Sequence, residues 1–379
     1  MRALPLAGLV LLLAGCGDDD LPVDRSDGST VLPDGALPDP VDGGGEPRTD
    51  AFTPTVDGFV PPDDDAFMDE TGIRIDGRRV LLDGAPVEFR GVCWSPVARG
   101  ATQPPDYAGF ATQDIALMVA AGIDTVRTYS PIRDRGTLDA LHAAGIRVLE
   151  TVYAYGGNDP EVGLDVVREE MDHPAIFMWV LGNEWNYNGL YTGVPHDEVR
   201  ARLETLASAI KAIDPSRPVS TIYGELPSTE TLAAMPSIDV WGINVYRGIT
   251  FGDLFDRWAE RSGRPMFIGE DGADAWDART GMENVGAQAD ATGMLTEAIL
   301  AESTARHADG VALGGTIFEW SDEWWKDGDG DPNVHDVGGV APGGGPHPDM
   351  TFNEEWWGVV DVDRNPRPAY DALRILFTD

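Results

Sequence analysis

The chain has 379 residues, of which 42% are hydrophobic, and this content can bury one large core or two modest ones. Its formal net charge of -38 argues against nucleic acids and anionic membrane surfaces as partners, because both carry charge of the same sign. The chain contains two cysteines, Cys16 and Cys93, so we expect no disulfide framework.

The first sixteen residues have the pattern of a secretory signal. Arg2 precedes an apolar stretch, Leu4 to Ala14, which is too short to span a bilayer. The stretch ends in the letters LAGC at residues 13–16, which resemble the lipobox of bacterial lipoproteins. The resemblance implies that Cys16 carries acyl chains and anchors the protein in the bacterial cell envelope, at the outer membrane or cell surface. The alternative is a secretory signal in which Cys16 has no role.

Residues 17–70 have a different character, because Asp, Pro and Gly dominate them and only two basic residues interrupt the pattern. We expect this acidic segment to be a disordered linker, since it cannot bury enough apolar surface to offset the entropy of the chain. It would hold the folded part away from a membrane. Calcium binding by Asp18–Asp20 or Asp63–Asp65 is the alternative, although the Gly-punctuated spacing of calcium ligands is missing.

Residues 71–379 alternate between strand and helix patterns. Two short runs, Ile73–Asp76 and Arg79–Leu82, predict a hairpin that caps one end of a domain. Helices are expected between the later strands, among them Gln113–Ala121 after a Thr112 cap, Met294–His307, and a closing helix. Eight strands are predicted, at residues 87–94, 123–129, 147–155, 176–181, 218–223, 238–246, 266–269 and 311–320. This order predicts a (β/α)8 barrel of the α/β class.

Two glutamates stand directly after predicted strands. Glu184 follows the unbroken apolar run Ile176–Leu181, and Glu270 follows the seventh strand. In such barrels the chemistry lies at the carboxyl ends of the strands, so the two carboxylates would face each other across the mouth. A pair of carboxylates can split a glycosidic bond, with one as nucleophile and the other as acid and then base in a retaining enzyme. An inverting mechanism is the alternative.

Four further side chains are predicted at the same rim. Arg127 and Tyr246 would donate hydrogen bonds to Glu270 and keep it ionised. Asn183 would hold a sugar hydroxyl, and Trp320 would offer a flat apolar face on which a pyranose can stack. Each of these residues alone is often structural, whereas their joint placement at strand ends favours substrate binding.

The segments that carry these residues resemble the catalytic barrel of clan A glycoside hydrolases, most closely that of family 2. The similar strings are VRTYSP from Val126, DHPAIFMWVLGNE from Asp172, PMFIGEDGAD from Pro265, and WGVVDVDRNPRPAYDALR from Trp357. The resemblance covers residues 71–379. It implies that Glu184 is the acid/base and Glu270 the nucleophile of a retaining enzyme.

The region after the eighth strand departs from that pattern. The strings FEWSDEWWKDGDGD at 318–331 and NEEWWG at 353–358 resemble bacterial family 17 enzymes that act on β-1,3-glucans. The alternating Asp327, Asp329 and Asp331 could hold an ion, although a solvated loop is the simpler interpretation. Four tryptophans of this region could line sugar subsites or pack the loop over the barrel: Trp324, Trp325, Trp356 and Trp357.

Together these patterns predict a retaining glycoside hydrolase that cleaves β-glycosidic bonds of a neutral polysaccharide or oligosaccharide, with a β-glucan favoured. The alternatives are β-mannanase, β-galactosidase-like or transglycosylase activity, or a non-catalytic glycan-binding surface lipoprotein. We expect a monomer without cofactor or metal. Its partners would be a carbohydrate and, through a lipid on Cys16 alone, a membrane.

Overall fold

The computed structural model of the protein describes residues 71–328, 330–337 and 347–378. The predicted lipidation site at Cys16 and the predicted linker at 17–70 lie outside the described residues, as does Asp329. Within the described ranges, none of the helices combines the length and the apolar character needed to cross a membrane.

Eight parallel strands close into a barrel in which each strand pairs with its neighbours in chain order and the eighth also pairs with the first. Nearly every residue of these strands is buried, as expected for a parallel sheet covered on both faces. The strands, β1 to β8, span Phe89–Cys93, Thr125–Arg127, Arg147–Tyr153, Ile176–Leu181, Val219–Gly224, Val240–Asn244, Met266–Glu270 and Ala312–Ile317. The predicted (β/α)8 barrel is confirmed.

One main helix follows each strand. Side chains at the N-cap start several of them, because an Asp, Ser or Asn oxygen accepts a hydrogen bond from a free backbone N–H in the first turn. The helices, α1 to α8, span Tyr107–Ala120, Arg135–Ala143, Pro160–Glu170, His196–Ile213, Thr229–Ala234, Leu254–Arg261, Val285–Ala301 and Pro368–Thr378.

Two helix predictions were wrong at their boundaries. Helix α1 begins after Asp106, whose side chain accepts from the Gly109 N–H, and not after Thr112. Helix α7 begins after the Asn284 cap and ends at Ala301, whereas the sequence pattern indicated Met294–His307. Gly286 and Gly293 lower the helix propensity of the first half of α7, which concealed its start.

The predicted hairpin closes the amino-terminal end of the barrel. Ile73 and Val80 belong to the same hydrophobic cluster as the residues that fill the interior of the barrel. At the centre of that cluster the Phe89 ring meets Phe177 and Phe267 edge-on, with centroids 5.7 and 5.6 Å apart. These residues lie early in their strands, so the opposite end, where the strands finish, is left for a site.

Candidate active site

Glu270 is the last residue of β7, and three donors hold its carboxylate. Arg127 Nη1 at 2.7 Å and the Tyr129 hydroxyl at 2.8 Å donate to Oε1. The Tyr246 hydroxyl donates to Oε2 at 2.8 Å. Both hydrogen bonds predicted for Glu270, from Arg127 and Tyr246, are therefore present. The donors fix the orientation of the carboxylate and compensate its charge.

Arg127, at the end of β2, is completely buried and connects Glu270 to the neighbouring strands. Its Nη1 also donates to the Gly269 carbonyl at 2.9 Å, and its Nη2 donates to Asn183 Oδ1 at 2.6 Å. The guanidinium lies 4.6 Å from the centroid of the Tyr129 ring. A buried guanidinium with this many partners is a rigid positioning group.

Glu184 lies just beyond β4, in a backbone conformation that is unusual for a residue with a side chain. Its φ of 46° and ψ of 34° are left-handed, which costs roughly 1–2 kcal/mol for an L-residue. The backbone holds it there, because its N–H donates to the Ile222 carbonyl and its own carbonyl accepts from Tyr187 and Asn188. Strain of this kind clusters at functional sites.

The environment of Glu184 favours its protonated form. Burial and the neighbouring Glu270 charge raise the pKa of Glu184 to about 8, while a hydrogen bond from Asn244 and the charge of Arg127 oppose the rise. At neutral pH Glu184 therefore carries a proton beside a carboxylate that is held by three donors. This is the pairing of acid and anion that glycoside hydrolysis requires.

Asn183 links the two glutamates through protein contacts. Its Oδ1 accepts from Arg127 and, at 3.3 Å, from Asn244 Nδ2, and its Nδ2 donates to the Tyr191 hydroxyl at 3.0 Å. Protein donors thus occupy its side-chain oxygen. The contact of Asn183 with a sugar hydroxyl stays a prediction, and it would use the amide N–H groups.

Sequence reasoning missed Tyr129, Tyr191 and Asn244. The signal for Tyr129 was available, because it follows Arg127 by two residues, and residues two apart face the same side of an extended chain. The same spacing joins Asn244 to Tyr246. Tyr191 lies in a short 3-10 helix, Gly189–Tyr191, that no period in the sequence indicated.

The prediction for Trp320 was wrong. Its side chain has no exposed surface and packs in the layer between the barrel and the helices, where its ring meets Tyr370 at 6.4 Å. The backbone of Trp320 pairs with Cys93 and Val360, and this pairing turns the side chain away from the mouth. Phe318 faces the mouth instead, in a cluster with Cys93 and Trp357.

Three of the four tryptophans after β8 hold the loops together. His335 is stacked between Trp324 and Trp356, with ring centroids 4.6 and 3.7 Å away. Trp357 is buried beneath the ring of Tyr246, at 5.3 Å. His335 therefore covers one face of Trp324 and one face of Trp356, and Trp357 is buried. Among the described residues, no group of His, Cys, Asp or Glu side chains is arranged to hold a metal ion.

Comparison with known proteins gives the same fold and similarity to one family over part of the chain. Residues 160–298 match the family model of the TIM barrel domain of glycosyl hydrolases family 2. The beta-glucuronidase of Sus scrofa is 24% identical over 247 residues, which are 58% of this chain and 36% of that protein. The beta-glucuronidase of Felis catus is 28% identical over 130 residues, 30% of this chain and 18% of that protein.

Solved structures show the same fold. A family 2 beta-galacturonidase from Eisenbergiella tayi, bound to galacturonate, has a TM-score of 0.57 at 20% identity, covering 81% of this chain and 53% of that one. A beta-D-glucuronidase of Dictyoglomus thermophilum gives 0.57 at 17%, with the same coverage. The chain spans about a third of the length of the curated Sus scrofa relative. The closed barrel thus shows the TIM-barrel fold, and residues 160–298 are similar to the TIM barrel domain of glycosyl hydrolases family 2.

Proposed function

We propose that this protein is a retaining β-glycosidase that works by double displacement, with Glu270 as nucleophile and Glu184 as acid and then base. The observation that carries the proposal is the contrast between the two side chains. Three hydrogen-bond donors hold Glu270. Burial and the charge of Glu270 raise the pKa of Glu184 to about 8. One side chain is ready to attack and the other to donate a proton.

In the first step a carboxylate oxygen of Glu270 attacks the anomeric carbon. The bond from that carbon to the leaving oxygen breaks, and Glu184 transfers its proton to that oxygen, which leaves a glycosyl ester on Glu270. In the second step the Glu184 carboxylate takes a proton from water. The water oxygen bonds to the anomeric carbon, Glu270 departs as a carboxylate, and the β configuration is restored.

Arg127, Tyr129 and Tyr246 have a defined part in both steps. Their donor groups orient the attacking carboxylate and stabilise the same carboxylate when it leaves the sugar. Arg127 donates to both Asn183 and Glu270, so Asn183 helps to fix the guanidinium. The side-chain amide of Asn183 can still donate an N–H to the substrate.

The names of the relatives support β-glucuronides as the glycosides to test first, since the similar proteins include beta-glucuronidases and a beta-galacturonidase. These names weaken the expectation of a β-glucan, which was based on the likeness of the C-terminal region to family 17. A neutral β-glycoside such as a glucan is the second candidate. One observation favours it, because the cationic side chains at the mouth are already paired with glutamates.

A 2-deoxy-2-fluoroglycoside with a good leaving group tests the mechanism, because it traps the glycosyl ester. We expect mass spectrometry to find the label on the peptide that contains Glu270, for at least one of the gluco, galacto, manno and glucuronic probes. The Glu270→Gln variant is the matched control and should remain unlabelled. Absence of an adduct with every probe would favour a glycan-binding protein without catalysis, and initial release of the α-anomer would favour inversion.

We also propose that Cys16 is lipidated. The support is the sequence pattern at residues 13–16. Expression of the full chain in bacteria fed a radiolabelled fatty acid should label the protein, whereas a Cys16→Ser variant should remain unlabelled. Equal labelling of both would contradict the proposal.

A further inference from the structure

A cluster of four charged side chains follows β8 and was not anticipated from the sequence. It contains Glu319, Glu323, Lys326 and Glu354. The ammonium of Lys326 lies 2.8 Å from a carboxylate oxygen of Glu354 and is also ion-paired with Glu323. Lys326 and Glu354 keep 16% and 14% of their side-chain surface exposed, so a ligand can reach them.

The cluster borders the mouth in which the catalytic glutamates lie. The Lys326 ammonium is 4.9 Å from the Phe318 ring, and that ring meets Tyr129, a donor to Glu270, edge-on at 6.4 Å. The electrostatic interactions also connect the cluster with Glu184. Burial and Glu270 are the main causes of the raised pKa of Glu184, and the charge of Glu354 adds to them.

The charges within the cluster do not balance. Burial and the neighbouring Glu323 raise the pKa of Glu319 well above its usual range. Two acidic side chains, Glu323 and Glu354, face the one ammonium of Lys326, so even without Glu319 the cluster holds more acidic groups than basic groups. One oxygen of Glu319 is buried and, within the described ranges, has no hydrogen-bond partner.

Both cations that we identify at the mouth are committed to the protein. Arg127 is bound by Glu270 and Asn183, and Lys326 by Glu323 and Glu354. A sugar carboxylate entering this site would lose its hydration and would meet acidic side chains, while both cations that the described residues place at the mouth are already paired. A sugar hydroxyl can instead donate to a carboxylate of the cluster or accept from Lys326.

We propose that Glu319, Glu323, Lys326 and Glu354 form a specificity-determining cluster that selects a glycone with a neutral hydroxymethyl group and excludes a uronic acid. The inference rests on the proposed glycosidase function. It also predicts that this chain differs in substrate from the beta-glucuronidases and the beta-galacturonidase that it resembles in fold.

The test compares pairs of 4-nitrophenyl β-glycosides that differ only at carbon 6. The pairs are glucoside and glucuronide, galactoside and galacturonide, and mannoside and mannuronide. For the pair that is cleaved fastest, we expect kcat/KM of the neutral member to exceed that of the acidic member by about ten-fold or more, because like charges repel at short range.

Two variants assign the selectivity to the cluster. Glu354→Gln keeps the shape of the side chain and removes one of the two acidic groups that hold Lys326, so it should raise kcat/KM for the uronide about ten-fold relative to the neutral partner. Glu354 is partly exposed, which makes this variant less disruptive to folding than a change at Glu323. The matched control is Glu198→Gln on the exposed face of α4, which should leave the ratio unchanged.

The outcomes separate the two proposals. A parent protein that prefers the uronide of its best pair, or a Glu354→Gln variant with an unchanged ratio, overturns the specificity inference and leaves the glycosidase function standing. If none of the six glycosides is cleaved and no fluorosugar labels Glu270, the glycosidase function fails and the inference fails with it.

Discussion

The two glutamates at the mouth of the barrel have the same chemical group in opposite surroundings. Glu270 ends a strand in regular conformation and receives hydrogen bonds on both oxygens. Glu184 lies three residues beyond the end of β4, in a left-handed conformation, and its half-buried carboxyl lies beside a like charge. Because the two side chains are chemically identical, donors and desolvation are what would separate their proposed roles.

The largest expected effect comes from removing the carboxylate that is held by donors. Glu270→Gln should lower kcat by about 10⁴-fold or more, since an amide cannot form the glycosyl ester. Steady-state hydrolysis of the best aryl glycoside measures this, with circular dichroism as the control for folding. A variant that kept a tenth of the parent kcat would contradict the assignment of Glu270 as the nucleophile.

Glu184→Gln should have the next largest effect, and the size of this effect should depend on the leaving group. For a phenyl glycoside, whose leaving oxygen needs a proton, we expect kcat/KM to fall by about 10³-fold. For a 2,4-dinitrophenyl glycoside the loss in kcat/KM should be much smaller, because this leaving group departs without protonation. An equal loss with both substrates would contradict the assignment of Glu184 as the acid.

The pH profile of the parent protein tests the raised pKa of Glu184. Burial and Glu270 raise the pKa of Glu184 to about 8, so the proposed proton donor loses its proton as the pH rises through that value. We expect kcat/KM for the phenyl glycoside to decline above about pH 8, and the Glu184→Gln variant to lack this decline. A decline that persists unchanged in the variant would assign it to another group.

The donors to Glu270 should have smaller effects of unequal size. Oε1 has two donors, Arg127 and Tyr129, whereas Oε2 has Tyr246. A hydrogen bond to a charged group contributes roughly 1.5–3 kcal/mol, so Tyr246→Phe should lower kcat/KM by about ten- to hundred-fold. Tyr129→Phe should cost less, since Arg127 remains on the same oxygen. A larger loss of kcat/KM for Tyr129→Phe than for Tyr246→Phe would show that Tyr129 does more than orient the carboxylate.

Another carboxyl, that of the buried Glu150 on β3, shows what burial beside a like charge does to stability. Burial and Glu170 raise the pKa of Glu150 from 4.5 to about 8, although Ile132 and Thr128 donate to it. Between these pH values the folded state holds a proton that the unfolded state releases. The free energy of unfolding therefore falls as the pH rises from about 5 to 8.

Glu150→Gln should remove this part of the pH dependence. We expect the difference in unfolding free energy between pH 5 and pH 8 to shrink by about 3.5 kcal/mol, measured by urea denaturation. Activity should be little changed, because Glu150 lies outside the mouth. A pH dependence equal to that of the parent would mean that Glu150 is already ionised in the folded protein.

The strands were predictable because a parallel barrel buries both faces of each one, and short unbroken apolar runs such as Ile176–Leu181 are typical of strands buried in this way. The pair Glu184 and Glu270 followed from the position of strand ends. Trp320 did not follow, because the regular alternation of side chains ends with β8 at Ile317. The charged cluster around Lys326 depends on loops whose long-range contacts leave no period in the sequence.

The left-handed backbone at Glu184 puts stability and the proposed activity in conflict at a single position. Glycine would relieve the conformation and, by the same substitution, delete the proposed proton donor. A screen that rewards heat resistance alone should thus enrich inactive clones altered at this codon, and a screen that also demands turnover should keep the glutamate and find its gains elsewhere in the barrel.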